Sequence, residues 1–128
     1  YKPRLNFYYS LAKISNIHMA QAMAEDLRDD NIVSLAVTPG FLRSEAMLEH
    51  FGVSEENWKD GAKVDKHFIA SETPFYIGNA VQFLASDPNI AEKTGGVYST
   101  WELSEIYGFT DVDGTQPHWG NYFKNHVK

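Results

Sequence analysis

The 128-residue sequence contains no cysteine, and its nine glycines form no glycine-rich turn. Without cysteine, the chain cannot form disulfide bonds, thiolate nucleophiles or zinc-thiolate sites. Neither a Gly-x-x-x-Gly-x-Gly nor a Gly-x-Gly-x-x-Gly pattern occurs, so the sequence lacks the usual phosphate-binding turn of dinucleotide-binding folds. No apolar run approaches the roughly 20 residues that a membrane-spanning helix needs. The residue types also suggest no metal site.

Positive charge is scarce, since 17 acidic residues outnumber 11 basic ones and give a net charge of −6. A surface of this sign repels phosphate groups, so we expect neither nucleic acid nor an anionic membrane as a partner. The N-terminus shows no basic region followed by an apolar stretch of the signal-peptide type. The composition therefore predicts a cytoplasmic protein, and the length is that of a single domain.

The most informative pattern is a tyrosine followed four residues later by a lysine, Tyr9 and Lys13. They stand at the start of a segment, residues 9–29, that is rich in good helix formers and has no glycine or proline. In a helix, this spacing places both side chains on one face. An ammonium one turn away favours the phenolate form of a tyrosine, which suits proton transfer. The same spacing also fits an ordinary solvated helix start.

A short apolar run at residues 32–38 predicts a strand buried on both faces of a parallel sheet, and Pro39-Gly40 ends it. Glycine at the carboxyl end of such a strand allows a ligand to approach the backbone closely. The alternative interpretation is an ordinary turn after a strand. A helix followed by a strand is half of a βαβ unit.

The rest of the chain divides into four segments. Residues 41–72 begin with a helical pattern up to about Phe51, continue with a short helix that Ser54 would cap and that runs through Trp58, and are polar and irregular from residue 59 to 72. Thr73-Pro74 is a strong helix start, so residues 74–86 predict a helix that the following Asp87-Pro88 ends. Residues 97–101 predict the last strand, and residues 102–128 form a C-terminal tail that begins with a helical turn.

These residues resemble a known family. Tyr9-x-x-x-Lys13, followed by the strand and by Pro39-Gly40-Phe41-Leu42-Arg43-Ser44, looks like the C-terminal half of a short-chain dehydrogenase/reductase. The tail residues Trp101-Glu102-Leu103 and 107–114 further resemble one branch of that family. The implied fold is α/β, the C-terminal portion of a Rossmann-like doubly wound parallel sheet, lacking the N-terminal cofactor-binding half.

The resemblance implies hydride transfer between NAD or NADP and a small carbonyl or alcohol substrate, with Tyr9 and Lys13 as the catalytic residues. Lys13 would also bond the nicotinamide ribose. The further cofactor-binding residues would be Pro39, Gly40, Leu42 and Ser44. Residues 41–72 would form a flap over the substrate. The substrate-binding residues would be Phe41, Met47, Phe51 and Trp58, each of which also suits a packed core.

In the family, the missing half binds the adenosine and pyrophosphate groups and supplies a catalytic serine and an asparagine. We therefore expect this chain to be a fragment that neither binds the cofactor nor turns over alone. The apolar surface of the 9–29 helix is wide enough to be covered on two sides. A homo-oligomer would form through helices 9–29 and 74–86 and strand 97–101.

Two other functions are supported by fewer features of the sequence. A chain that keeps the 9–29 helix and the last strand of a dehydrogenase fold but lacks the cofactor half could be a non-catalytic fragment that associates with itself or with a partner. A hydrolase with serine, histidine and aspartate is permitted by the residue types, but the Gly-x-Ser-x-Gly elbow of many such enzymes is absent.

Overall fold

A computed structural model describes residues 6–127 of the chain. Its α-helices are α1 (Phe7–Asp26), α2 (Glu45–Phe51), α3 (Pro74–Ser86), α4 (Thr100–Tyr107) and α5 (Trp119–His126). The strands are β1 (Ala36–Thr38), β2 (Phe41–Leu42), β3 (Ser71–Glu72) and β4 (Val97–Ser99), and the 3₁₀ helices are Arg28–Asp30, Trp58–Lys63, Lys66–Ala70 and Ile90–Lys93. This is a mixed α/β fold, as predicted.

The described residues fall into two compact units. The first contains the residues up to Val37 together with Leu84–Tyr98, and the second contains Thr38–Phe83 together with the residues from Ser99 onward. In the part of the chain that the structure describes, no helix has the length and apolar character needed to cross a membrane.

In the first unit, α1 begins because Asn6 caps it. The Asn6 side-chain oxygen accepts hydrogen bonds from the backbone N–H groups of Tyr8 at 2.8 Å and Tyr9 at 3.3 Å. This cap satisfies N–H groups that have no partner inside the helix. The helix therefore starts two residues before the predicted position.

The end of α1 also differs from the prediction. The helix stops at Asp26 and the chain continues into the short 3₁₀ helix, which Asn31 ends with a left-handed φ of 56°. Only Ala24 of α1 is buried. The other described residues of α1 are exposed or half-buried, so the described chain covers little of the helix surface, and its covering by a partner stays a prediction.

The strand before the Pro-Gly turn is shorter than the predicted 32–38. β1 begins at Ala36, whose N–H donates to the Gly96 carbonyl oxygen at 3.0 Å, and β1 pairs with β4. Ser34 instead bonds the turn before β4, accepting from the Gly95 N–H at 2.7 Å and bonding the Thr94 hydroxyl. Because this turn takes the Ser34 backbone groups, the strand pairing starts two residues later.

In the second unit, β2 and β3 form a parallel pair with Phe41 opposite Ser71 and Leu42 opposite Glu72. The helical pattern predicted from Phe41 is therefore wrong at its start, and α2 begins only after Ser44 caps it. The predicted irregular stretch up to residue 72 contains two 3₁₀ helices and β3, with Phe68 fully buried. Packing around Phe68 orders a segment whose polar composition predicted a loop.

α3 has the bounds of the predicted helix, but the last strand does not have the predicted bounds. β4 ends at Ser99, and Thr100 and Trp101 belong to α4. Ser99 and Glu102 form a reciprocal capping box, in which each side chain accepts from the other residue's backbone N–H. This Ser-x-x-Glu cap begins the helix and so ends the strand.

The core of the second unit forms where α3 and α4 meet the tail. Its buried apolar side chains include Tyr76, Leu103 and Phe109, and the Tyr76 ring packs edge-on against Phe109 at 5.2 Å. The Tyr76 hydroxyl donates to the Pro117 carbonyl oxygen at 3.3 Å. The tail after α4 is thus part of the packed structure.

Candidate functional site

Tyr9 and Lys13 lie one turn apart on α1, as their spacing predicts. The Lys13 Nζ atom is 5.3 Å from the centre of the Tyr9 ring, within cation–π distance. Both side chains are exposed, and Tyr9 has 57% of its surface accessible. The helix therefore presents a phenol and an ammonium together to any group that approaches this face.

The Pro39-Gly40 turn lies in the second unit and is shaped by close packing. A Cβ atom placed on Gly40 would lie 2.6 Å from the Cβ atom of Trp119 and 2.8 Å from Glu72 Oε2. Gly40 does not have a positive φ. Glycine is thus required here by the space that its neighbours occupy and not by the backbone conformation.

Glu72 is a fully buried carboxyl group beside this turn. The Thr100 hydroxyl donates to it, at 2.9 Å from Oε1 and 3.0 Å from Oε2, and the backbone N–H of Gly40 donates to it as well. Burial raises the pKa of Glu72 from its usual 4.5 to about 7, these two hydrogen bonds oppose the rise, and the Asp111 charge adds to it. Glu72 therefore changes its charge near neutral pH.

Arg43 follows the turn and is buried as well. Its guanidinium lies 3.9 Å from the Trp58 ring centre, forms an ion pair with Glu55 at 2.8 Å, and donates to the Ser71 hydroxyl at 3.0 Å. Lysine is a poor substitute for arginine at this position, because its ammonium group lacks the planar fork that stacks on a ring and forms paired hydrogen bonds. One side chain thus joins β2, β3 and the segment between them.

The two remaining residues of the predicted cofactor set lie near the same turn. Leu42 is half-buried in β2. The Ser44 hydroxyl accepts a hydrogen bond from the Met47 N–H at 3.3 Å and so caps α2. Because a cap uses the hydroxyl oxygen as acceptor, its proton is still available to a ligand.

Three of the four predicted substrate-binding residues meet around Phe68. Ring centres of Phe41, Phe51 and Trp58 lie 5.4, 4.5 and 6.0 Å from that of Phe68. The fourth, Met47, is half-buried on α2. These contacts make an aromatic cluster next to β2, and the role of its members toward a substrate stays a prediction.

Sequence reasoning did not single out Glu72 or Trp119. Trp119 packs edge-on against Phe41 at 5.6 Å between ring centres and closes the space beside Gly40. It lies in the tail that no motif covered. Glu72 fell in the stretch interpreted as an irregular loop, and no local signal distinguishes its carboxyl group from those of the exposed acidic residues around it.

Among residues 6–127, no group of three or more histidine, aspartate or glutamate side chains is arranged to hold a metal ion. Asp111, the most buried aspartate of the tail, instead bonds Thr73: its carboxylate accepts from the Thr73 hydroxyl and from the Thr73 N–H, the latter at 2.8 Å. This carboxylate therefore holds the start of α3.

Comparison with known proteins shows that this chain is similar to two curated proteins. It is 31% identical over 111 residues to dehydrogenase/reductase SDR family member 1 of Mus musculus. It is 32% identical over 110 residues to the Homo sapiens protein of the same name. Each alignment includes 85% of this chain but 35% of the relative, so the chain spans about a third of the length of these proteins. No family model matches.

The predicted resemblance to short-chain dehydrogenases/reductases is confirmed by these two relatives. The chain is similar to both proteins over most of its own length. Both relatives carry the name of the branch that the tail residues predicted.

Proposed function

We propose that this chain forms part of an NAD(P)-dependent oxidoreductase that transfers hydride between nicotinamide and a carbonyl or alcohol substrate. The observation that carries the proposal is the Tyr9–Lys13 pair, with the ammonium 5.3 Å from the ring on one exposed helix face. The relationship to two dehydrogenase/reductase proteins supports it.

The residues fit a nicotinamide nucleoside chemically. Tyr9 and Lys13 are exposed hydrogen-bond donors of the kind that ribose hydroxyls accept. Gly40 lies in the turn that follows β1, and open α/β sheets bind ligands beyond the carboxyl ends of their strands. Leu42 and the Ser44 hydroxyl lie two and four residues beyond Gly40. These residues would hold the cofactor, which supplies or accepts the hydride.

In reduction, Tyr9 acts as the general acid. As the carbonyl carbon gains a hydride, the Tyr9 hydroxyl gives its proton to the carbonyl oxygen, and the product is an alcohol. In oxidation, the phenolate removes that proton while the carbon loses the hydride. The Lys13 ammonium would donate hydrogen bonds to the ribose hydroxyls. Phe41, Met47, Phe51 and Trp58 would surround the substrate.

The 128-residue chain by itself is proposed to be inactive. Its sequence has no glycine-rich turn to hold a pyrophosphate, so its affinity for NAD or NADP is expected to be too low for turnover. Activity is therefore tested in the full-length polypeptide that contains this sequence.

The test compares two neighbouring tyrosines. Tyr9→Phe removes the proposed acid, and we expect the turnover number to fall at least about 100-fold with little change in cofactor affinity. Tyr8→Phe is the matched control, because Tyr8 is similarly exposed but has Ala12, not a lysine, four residues later. A Tyr9→Phe protein that keeps more than about a tenth of the normal rate removes Tyr9 from this role.

A non-catalytic associating chain is the second candidate, and the surface of α1 favours it. Its exposed apolar side chains include Leu11, Ile14, Met19 and Met23. An apolar face of this kind is typical of an interface. Sedimentation equilibrium of the full-length protein and of an Ile14→Asp variant tests it. A monomer in both, together with turnover in the parent protein, rejects this candidate.

A further inference from the structure

The Glu72 backbone holds the chain that follows the Pro39-Gly40 turn. Glu72 lies opposite Leu42 in the parallel β2–β3 pair, and its carbonyl oxygen accepts a hydrogen bond from the Arg43 N–H at 2.7 Å. Because β2 is two residues long, this bond is a large part of what fixes its position. One residue of β3 therefore sets where the chain leaves the turn.

The Glu72 side chain reaches back to the turn itself. Its carboxyl group accepts from the Gly40 N–H and, on the other side, from the hydroxyl of Thr100, the first residue of α4. The carboxyl group is fully buried, so both hydrogen bonds form away from water. Removing a buried acceptor leaves its donors unpaired, which costs more than the hydrogen bond itself contributes.

The shape of the turn depends on the same contact. The position of a Gly40 Cβ atom would lie 2.8 Å from Glu72 Oε2, so a side chain at residue 40 and the present Glu72 position exclude each other. Trp119 closes the remaining side. Gly40 is thus held by a hydrogen bond on one side and by packing on the other, and its backbone has one defined place.

We infer that Glu72 is the positioning residue of the Pro39-Gly40 turn: its carboxyl group, oriented by Thr100, fixes the Gly40 backbone that faces the nicotinamide. This inference rests on the proposed function and deepens it. Because Glu72 is fully buried, its carboxyl group would not contact the cofactor or the substrate. The carboxyl group would act through the Gly40 backbone.

The experiment separates the nicotinamide from the rest of the cofactor. ADP-ribose has the adenosine and pyrophosphate groups but no nicotinamide ring. In the full-length protein, Glu72→Leu is expected to weaken binding of the intact dinucleotide about 10-fold, as a loss of roughly 1.4 kcal/mol implies. ADP-ribose has no nicotinamide ring for the turn to face. Its affinity should therefore stay within about 2-fold of the parent value. Isothermal titration with both ligands measures the two affinities.

Two milder variants keep the test decisive if Glu72→Leu does not fold. Glu72→Gln keeps an oxygen for the Gly40 N–H and an amide for Thr100, and should restore dinucleotide affinity to near the parent value. Thr100→Val removes the hydroxyl that orients the carboxyl group and should shift the ratio of the two affinities in the same direction as Glu72→Leu. Glu49→Gln, an exposed carboxylate on α2, is the control and should leave both affinities unchanged.

The outcomes distinguish this inference from the proposed function. Equal weakening of both ligands by Glu72→Leu and Thr100→Val, or no weakening of either, overturns the positioning role while leaving hydride transfer intact. A parent protein that binds neither ligand and reduces no carbonyl compound overturns the proposed function itself. A selective loss of dinucleotide affinity, restored by glutamine, supports both.

Discussion

Glu72 and Thr100 are joined by a hydrogen bond between two fully buried side chains, 28 residues apart in the sequence. It connects β3, which holds the Pro39-Gly40 turn, to the first residue of α4. Burial raises the pKa of Glu72 to about 7, so the charge at this connection changes in the physiological pH range. The pH dependence of folding therefore includes a contribution from this carboxyl group.

The first prediction concerns stability against pH. The folded protein holds the Glu72 proton up to about pH 7, whereas the unfolded chain releases it near pH 4.5, so the folded state binds more protons between these values. The contribution of Glu72 to stability is therefore complete below about pH 4.5 and is lost as the pH rises through 7. The loss amounts to about 3 kcal/mol at most.

Urea unfolding of the full-length protein between pH 4.5 and 8 measures this slope, and Glu72→Gln should remove it because glutamine does not ionise. Glu102→Gln is the comparison. Hydrogen bonds from Ser99 lower the pKa of Glu102 from its usual 4.5, so its contribution is lost only as the pH falls below this range, and the variant should keep the parent's slope between pH 4.5 and 8. An unchanged slope in Glu72→Gln contradicts the raised pKa of Glu72.

The second prediction concerns the buried guanidinium. Arg43→Lys keeps the charge but loses the forked hydrogen bonds to Glu55 and Ser71 and the stacking on Trp58. We expect a loss of about 2 kcal/mol in the free energy of unfolding, since hydrogen bonds to charged groups contribute about 1.5–3 kcal/mol.

Arg28→Lys is the matched control for this measurement. Arg28 forms an ion pair with Glu25 at 2.6 Å, but both side chains are exposed, so the change should cost less than about 0.5 kcal/mol. Equal losses for the two variants, in chemical unfolding at the same pH and salt, mean that burial of Arg43 contributes nothing.

The sequence predicted those features that depend on neighbouring residues. The Tyr9–Lys13 geometry follows from helical spacing, and the start of α3 follows from Thr73-Pro74. The strand predicted to residue 101 is too long, although Ser99 and Glu102 form the Ser-x-x-Glu pattern of a capping box, which is a local signal for the start of a helix. The β-branched composition of this segment favoured a strand instead.

Features that depend on distant partners could not be predicted in this way. Glu72 is buried because Thr100 and the Gly40 backbone satisfy its oxygens, and its own neighbours in sequence do not reveal them. The same holds for Trp119, which belongs to the Gly40 turn only through the path of the tail. For β1, the missing information was that Ser34 bonds a turn 60 residues away.

The last prediction concerns the glycine of the turn. Gly40→Ala places a methyl group 2.6 Å from Trp119 Cβ, 2.8 Å from Glu72 Oε2 and 3.2 Å from Trp119 Cγ. The Trp119 Cβ atom is bonded directly to the backbone and cannot rotate away, so either the turn or the Trp119 backbone must move. Overpacking of this kind costs about 1–3 kcal/mol. Binding of the dinucleotide should weaken as well, because the displaced group is the one proposed to face the nicotinamide.

Gly78→Ala is the control, because Gly78 lies inside α3 and a Cβ atom there meets nothing within 4 Å. Alanine in a helix interior is more favourable than glycine by about 0.5–1 kcal/mol, so this variant should be more stable than the parent. The two glycine-to-alanine changes thus have opposite signs in thermal unfolding of the full-length protein. If Gly40→Ala is neutral or stabilising, Glu72 and Trp119 do not confine the turn, and Glu72 then cannot position it.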